Sequence, residues 1–137
     1  MRLRIELFVD DLDTSIGFYA ALGFAVERRE HDYASLRWGD AVIGLGPVAR
    51  LPETGPGPGF TQERLAGVRG AGAEIVLEVE DLDAAHAVVR AAGHPLADPP
   101  QDRPWGLRDF RLTDPDGYYI RITTPTPPTG GQTPRRN

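Results

Sequence analysis

The segment LFVDDLD at residues 7–13 recurs as LEVEDLD at residues 77–83, a spacing of 70 residues. Alternating apolar residues lead into the acidic residues of each copy, which is the pattern of a half-buried strand. An aspartate after each strand predicts the start of a helix, because its carboxylate accepts hydrogen bonds from free N–H groups. The candidates are Asp11 or Asp13, and Asp81 or Asp83. The chain therefore contains an internal duplication.

The duplication extends beyond these strands to a complete structural unit. Apolar residues at helical spacing follow each acidic turn, and Gly23 and Gly93 occupy the position of a helix C-terminal glycine. The later part of each copy matches at a spacing of 77, which pairs Tyr33 with Phe110. A hairpin turn lies in each copy, the second at residues 114–117. Each copy therefore predicts a strand–helix–strand–strand–strand module, written βαβββ, and the fold class is α+β.

Composition divides the chain into four parts. Residues 1–46 form the first βαβββ module, and residues 73–124 form the second. Between them, residues 47–72 form a connection rich in Pro and Gly, which exclude regular structure over much of its length. Residues 125–137 are mainly Pro, Thr, Gly and Arg, which predicts a flexible tail.

Charge and composition exclude several classes of function. The 137 residues carry a formal charge of −5, which argues against a nucleic-acid partner. The absence of Cys excludes disulfides, thiol nucleophiles and Cys-type metal sites. No segment approaches the ~20 apolar residues of a membrane helix, and no apolar signal segment follows Met1. We therefore expect no membrane association and a cytoplasmic location.

Two motifs resemble those of the vicinal-oxygen-chelate superfamily of glyoxalases, bleomycin-resistance proteins and extradiol dioxygenases. The first is VDDLDTSIGFY at residues 9–19 with LGF at 22–24, and the second is WGLRDF at 105–110 with DPDG at 114–117. The resemblance covers about residues 2–124. It implies two βαβββ modules whose curved mixed sheets enclose a cavity, which is often completed across a homodimer.

The enzymes of this superfamily hold a divalent metal on the first and last strands of each module. The resemblance places those ligand positions at Arg4, Gly44, Glu74 and Arg121. Only Glu74 can bind a metal, because arginine stays protonated and glycine has no side chain. We therefore expect no metal and no cofactor. This departure is closest to the bleomycin-resistance branch, whose members are metal-free dimers that bind an antibiotic without turnover.

The predicted function is self-resistance by sequestration of a bulky aromatic natural product of the bleomycin, mitomycin or enediyne type. The partners are this small molecule and a second copy of the chain, and the protein is not expected to be an enzyme. One alternative is a metal-free enzyme acting on a polyketide-like intermediate. There Arg4 or Arg121 stabilises an enolate and Glu74 moves a proton. Another is a metal-dependent lyase or dioxygenase with displaced ligands.

Aromatic and charged residues near the predicted cavity are the candidate ligand contacts. Trp38 and Trp105 each lie beside a turn and offer a flat face for stacking. Strand alternation, hairpin position and the Pro/Gly-rich loop supply five others: Tyr33, Phe8, Tyr119, Glu6 and Phe60. The resemblance adds Arg4, Glu74 and Arg121, which it places at the family's metal positions. The alternative is that the tryptophans belong to the core or an interface and that the charged residues neutralise one another. Tyr118 either adds an aromatic ring at the edge of the cavity or covers surface, and the second interpretation is favoured.

Overall fold

Two βαβββ modules follow one another along the chain. The computed structural model describes residues 1–94 and 96–125, so the predicted tail lies outside the described residues except for Pro125. The first module comprises β1 (Arg4–Val9), α1 (Leu12–Leu22), β2 (Ala25–Glu30), β3 (Tyr33–Trp38) and β4 (Ala41–Pro47). The second comprises β5 (Ile75–Glu78), α2 (Leu82–Ala91), β6 (Leu96–Asp102), β7 (Arg108–Thr113) and β8 (Tyr119–Thr123).

Each module forms its own four-stranded mixed sheet. The strand orders are β1-β4-β3-β2 and β5-β8-β7-β6. In each sheet the first and last strands of the module run parallel, and the other pairs are antiparallel. The predicted α+β fold of two βαβββ modules is confirmed. Within the described residues the two sheets do not join, so β1 and β5 each have one edge without a neighbouring strand.

Each helix begins directly after the first of its two candidate aspartates, Asp11 for α1 and Asp81 for α2. The side chains of Asp11 and Asp81 accept hydrogen bonds from the backbone N–H three residues further on, at 2.8 and 2.9 Å. The hydrogen bond to Thr14 lowers the pKa of Asp11 below its ordinary value of 3.8. Asp13 and Asp83 lie in the first turns, where a negative charge favours the helix. Neither described helix is long and apolar enough to cross a membrane.

Side chains from both modules form one hydrophobic core. Alternation along β1 turns Leu7 and Val9 inward, and α1 adds Phe18 and Tyr19. Phe110 of β7 is fully buried, and burial of a phenyl side chain contributes about 1.5–3 kcal/mol. The helices pack on their own sheets and on each other. Because each sheet turns one face to the helices, its opposite face is available for a binding site.

The duplication is misaligned by one residue in the third strand of each module. Ala34 of β3 pairs with Leu45 of β4, and Phe110 of β7 pairs with Ile122 of β8. Leu45 and Ile122 are equivalent positions of the two modules, so Phe110 is equivalent to Ala34. Tyr33 therefore corresponds to Asp109, and the predicted match of Tyr33 with Phe110 is wrong. The cause is the second hairpin turn, which has three residues, 115–117, between its paired ends rather than two.

The turn at residues 114–117 joins the second module to the first. The Tyr19 hydroxyl donates to Asp114 Oδ2 at 2.7 Å, and the Asp10 N–H donates to Asp116 Oδ1 at 2.7 Å. Burial raises the pKa of Asp114, and burial together with the Asp114 charge raises the pKa of Tyr19. These carboxylates are committed to structural hydrogen bonds, as the turn motif predicts.

The connection between the modules is fixed by one arginine. Apart from Pro47, which ends β4, and a short 3-10 turn at Val48–Arg50, its described residues contain no helix or strand. Arg69 donates to the carbonyls of Leu65 and Phe8 at 2.8 and 3.0 Å and to Asp10 Oδ1 at 2.7 Å. Only 10% of its side chain is exposed, so these bonds are shielded from water. Arg69 therefore ties the connection to the end of β1.

Gly70 is predicted to be sensitive to a single added methyl group. Its φ of +65° disfavours L side chains, and a Cβ there would lie 2.8 Å from the Tyr118 ring. We expect Gly70→Ala to lower the free energy of unfolding by about 1–3 kcal/mol. Gly57→Ala is the matched control, because Gly57 has a φ of +82° but no atom within 4 Å. Equal losses of urea midpoint in both variants would show that contact with Tyr118 adds nothing.

Candidate functional site

Strand β1 and the start of β5 converge on a cavity that we name the β1–β5 chamber. Its volume is about 370 Å³, within the range of small-molecule sites. Its lining consists of Ile5, Glu6, Leu7, Phe8, Phe60, Leu65, Gly70, Ala73, Glu74, Ile75, Tyr118 and Tyr119. Five predicted contact residues are among them: Glu6, Phe8, Phe60, Glu74 and Tyr119. The chamber thus brings together half of the predicted set from three separate parts of the chain.

Aromatic rings form one wall of the chamber. Phe8 and Phe60 lie with ring centroids 4.5 Å apart and a tilt of 42°. Phe60 remains 56% exposed, so its ring covers the chamber without being buried in the core. The Tyr118 hydroxyl donates to the Phe8 carbonyl at 2.8 Å, and burial raises the pKa of Tyr118. Interpretation of Tyr118 as a surface residue is wrong, because only 9% of it is exposed.

A polar cavity of about 540 Å³ adjoins the chamber and shares Glu6 with it. Glu6 Oε1 lies 2.7 Å from Arg4 Nε and accepts a hydrogen bond from the Tyr33 hydroxyl at 3.0 Å. The guanidinium of Arg28 lies 5.1 Å from the centre of the Tyr33 ring. Partial burial and the hydrogen bond to Glu6 raise the pKa of Tyr33. Tyr33 is therefore a neutral hydrogen-bond donor, and Arg4, Glu6 and Tyr33 form one connected group.

A second charged group lies on the outward face of β7 and β8. Arg121 Nε is 3.1 Å from Glu74 Oε1, which lines the chamber. Arg103 Nε donates to Asp109 Oδ1 at 2.7 Å. Asp109 is fully buried, and its other oxygen lies 3.8 Å from Arg121. Arg121 therefore stands between an exposed carboxylate and a buried one.

The residues at the family's metal positions do not fit a divalent ion. Arg4 and Arg121 present fixed positive charges, which repel a cation. A Cβ at Gly44 would collide with the Glu6 carboxylate and lie 2.5 Å from the Tyr33 hydroxyl, so this position has no room for a ligand side chain. No group of three His, Asp or Glu in residues 1–94 and 96–125 is placed to hold a metal. Glu74 is the single donor left.

The two tryptophans lie outside the chamber. Trp38 contacts Phe24 edge-on at a centroid distance of 5.6 Å and lines a separate groove beside α2. Trp105 lies in the turn before β7 and is 54% exposed. A larger cavity of about 730 Å³ contains Glu74 as its single predicted contact residue. The structure thus joins eight of the ten predicted residues into one region and leaves Trp38 and Trp105 apart from it.

Several residues of this region do not follow from the sequence pattern. Leu65 and Gly70 reach the chamber through the fold of the connection. Asp109 is a charged residue in a strand, and correct alignment of the duplication identifies it as the equivalent of Tyr33 in the second module. Its burial beneath Arg103 and Arg121 depends on contacts that no local pattern encodes.

Two duplicated modules with a cavity at the seam between their first strands define a protein of the paired βαβββ class. A family model matches residues 3–122, and the chain belongs to the Glyoxalase/Bleomycin resistance protein/Dioxygenase superfamily. The resemblance predicted from the two motifs is confirmed. No curated protein matches the chain.

Solved structures of the same fold include a protein that binds bleomycin. TioX from Micromonospora sp. ML1 is 23% identical with a TM-score of 0.72, and the match covers 90% of this chain and 98% of TioX. The bleomycin resistance determinant encoded on the transposon Tn5 is 22% identical with a TM-score of 0.63, covering 90% and 97%. A bleomycin-binding protein complexed with bleomycin is 21% identical with a TM-score of 0.64, covering 92% and 99%. At these identities the likeness establishes the shared fold.

Proposed function

We propose that this protein confers self-resistance by binding a bulky aromatic natural product and holding it unchanged. The observation that carries the proposal is the β1–β5 chamber, in which Phe8, Phe60 and Tyr119 meet around an apolar space. A flat ligand gains by stacking on such rings and by leaving water. Bleomycin-, mitomycin- and enediyne-type compounds are the candidate ligands, and the cytoplasm is the proposed place of action.

Tight binding requires a larger contact area with the ligand than the chamber alone provides. Nanomolar sequestration corresponds to about −12.3 kcal/mol, whereas an aromatic pair adds only about 0.5–1.5 kcal/mol beyond burial. A bulky ligand therefore places one aromatic group in the chamber and extends over the adjoining polar cavity. There Arg4 offers hydrogen-bond donors, because its guanidinium has five N–H groups and is partly exposed.

A second copy of the chain is the proposed protein partner. The outer strand β2 carries four consecutive charged residues, Glu27–Glu30, and β6 contains Pro99 and Pro100, both of which discourage strand addition. The strands β1 and β5 contain no proline and fewer charged residues than β2, although the Phe8 carbonyl of β1 already accepts hydrogen bonds from Tyr118 and Arg69. Pairing across these edges would cover the chamber and extend the binding surface. We expect light scattering after gel filtration to give twice the chain mass; a monomer at micromolar concentration would contradict this.

The function is tested by mixing the purified protein with bleomycin, mitomycin C and an enediyne chromophore. Binding is followed by isothermal titration calorimetry, because both tryptophans lie outside the chamber, and the bound compound is then extracted and identified by mass spectrometry. Sequestration predicts intact compound at one molecule per subunit. A chemically changed compound with more than one turnover would instead support the metal-free enzyme, in which Glu74 moves a proton beside Arg121. Stoichiometric zinc, iron, nickel or manganese in the purified protein would support the metal-dependent alternative.

A further inference from the structure

The charged residues that line the β1–β5 chamber are both carboxylates. Glu6 and Glu74 lie among apolar and aromatic side chains, including Phe8 and Phe60. Aromatic faces attract cations, and a carboxylate at the edge of an apolar cavity accepts charge-assisted hydrogen bonds. This combination fits a hydrophobic ligand that carries a basic nitrogen. An anionic ligand would meet two like charges at the same place.

Each carboxylate is already paired with an arginine, so a ligand cation has to replace that arginine. Arg4 has one described carboxylate partner, Glu6, and leaving Glu6 would leave Arg4 without a counter-charge. Arg121 has two partners, since it lies 3.1 Å from Glu74 and 3.8 Å from the buried Asp109. Replacement is therefore less costly at Glu74 than at Glu6.

The buried oxygen of Asp109 gives Arg121 a second position. Asp109 Oδ2 is buried and accepts no hydrogen bond within the described residues. A buried acceptor without a hydrogen bond is destabilising, and a charged donor nearby corrects this when it moves closer. Glu74 is 37% exposed at its side chain, so water compensates for part of what it loses when Arg121 leaves.

We propose that the chamber binds a hydrophobic ligand through a basic nitrogen on Glu74, and that Arg121 transfers from Glu74 to Asp109 when the ligand binds. This inference rests on the proposed function only in taking the chamber as the ligand site. Glu74 contacts the ligand. Asp109 does not, and acts as a positioning residue through Arg121.

The first test compares two probes of one shape and different charge. At mildly alkaline pH, 9-aminoacridine is cationic, whereas acridine has the same three rings and is neutral. We expect the wild-type protein to bind 9-aminoacridine more tightly than acridine. Glu74→Gln should weaken 9-aminoacridine by roughly tenfold and leave acridine within about twofold, because it removes one charge-assisted contact. Glu6→Gln separates the two chamber carboxylates and should weaken 9-aminoacridine less than Glu74→Gln does. Asp32→Asn is the matched control, because Asp32 is also a carboxylate paired with an arginine but does not line the chamber, so both probes should change by less than about twofold.

The second test addresses the transfer of Arg121. Asp109→Asn removes its second position, so 9-aminoacridine should bind several-fold more weakly while acridine binding stays unchanged. The effect should vanish in the Glu74→Gln background, because the two residues act on one step. Arg121→Gln, which keeps Asp109 paired with Arg103, should strengthen 9-aminoacridine binding because Glu74 loses its competitor. Thermal melts of each variant show that it is folded.

Several results would overturn the inference. Equal affinity for the two probes, no binding of 9-aminoacridine, or equal effects of the Glu6 and Glu74 variants would each remove Glu74 as the cation site. Weakened binding in Arg121→Gln would show that Arg121 contacts the ligand itself. If none of the antibiotics bound but the protein still preferred 9-aminoacridine to acridine, only the proposed function would be contradicted. The two failures are therefore distinguishable.

Discussion

Replacing Asp114 by Ala lowers the free energy of unfolding by about 3–4 kcal/mol. The Asp114 carboxylate accepts three hydrogen bonds, from the Tyr19 hydroxyl and from the backbone N–H groups of Asp116 and Tyr118. Only 4% of Asp114 is exposed, so water does not fully replace these bonds. Alanine leaves all three donors without their acceptor. Urea unfolding followed by circular dichroism measures the loss.

Asp114→Asn is the matched control for this prediction. The Asn carbonyl keeps the two backbone hydrogen bonds, and the Tyr19 hydroxyl can accept from the new amide, so we expect a loss of about 1 kcal/mol. Equal losses for Asn and Ala would show that the hydrogen bonds of Asp114 do not stabilise the fold. A loss below ~1 kcal/mol in Asp114→Ala would contradict the proposed junction between the modules.

The difference in stability between the wild-type protein and Asp114→Asn should also depend on pH. Burial raises the pKa of Asp114 in the folded protein above its ordinary value of 3.8. The folded state therefore holds this proton more tightly than the unfolded state. The resulting stabilisation is present below 3.8 and is lost as the pH rises through the raised pKa. Wild-type stability relative to Asp114→Asn should therefore fall between acid and neutral pH. A constant or rising difference in urea midpoint would contradict the prediction.

The duplication made most of the fold predictable. Spacing between the two copies is preserved through strand, acidic turn and helix, so Asp11 and Asp81 both begin helices. The spacing changes by one residue across the second hairpin, because its turn at 115–117 is one residue longer than the turn of the first hairpin. A one-residue error in a strand exchanges its inward and outward faces. This is why the buried Asp109 was not recognised as the counterpart of Tyr33.

The site was predictable where it depends on strand alternation. Glu6 and Phe8 alternate with core residues of β1, and alternation alone places them on the outward face. Phe60 reaches the chamber because Arg69 fixes the connection to the end of β1, which is a long-range contact. Trp38 instead packs beside α2. A tryptophan beside a turn can stack on a ligand or pack on a neighbouring module. The local sequence is the same in both cases, so it does not distinguish the two roles.

Removal of the Phe60 ring should weaken ligand binding by roughly tenfold to a hundredfold. Phe60 packs on Phe8 with a centroid distance of 4.5 Å and forms part of the chamber wall. A ligand in the chamber therefore buries the exposed surface of the Phe60 ring. Full burial of a phenyl side chain is worth about 1.5–3 kcal/mol, which gives that range of affinity. Acridine is the probe, because its neutrality separates ring contact from the charge of Glu74.

Stability and a second aromatic provide the controls for Phe60→Ala. Phe60 is 56% exposed, so we expect its removal to change the free energy of unfolding by less than about 0.5 kcal/mol. Trp105 is similarly exposed, at 54%, but does not line the chamber. Trp105→Ala should therefore change acridine affinity by less than about twofold, since it removes no chamber contact. A larger effect of Trp105→Ala than of Phe60→Ala would place the ligand at the turn before β7. The chamber would then lose its role, because the stacking surface would lie on the second module alone.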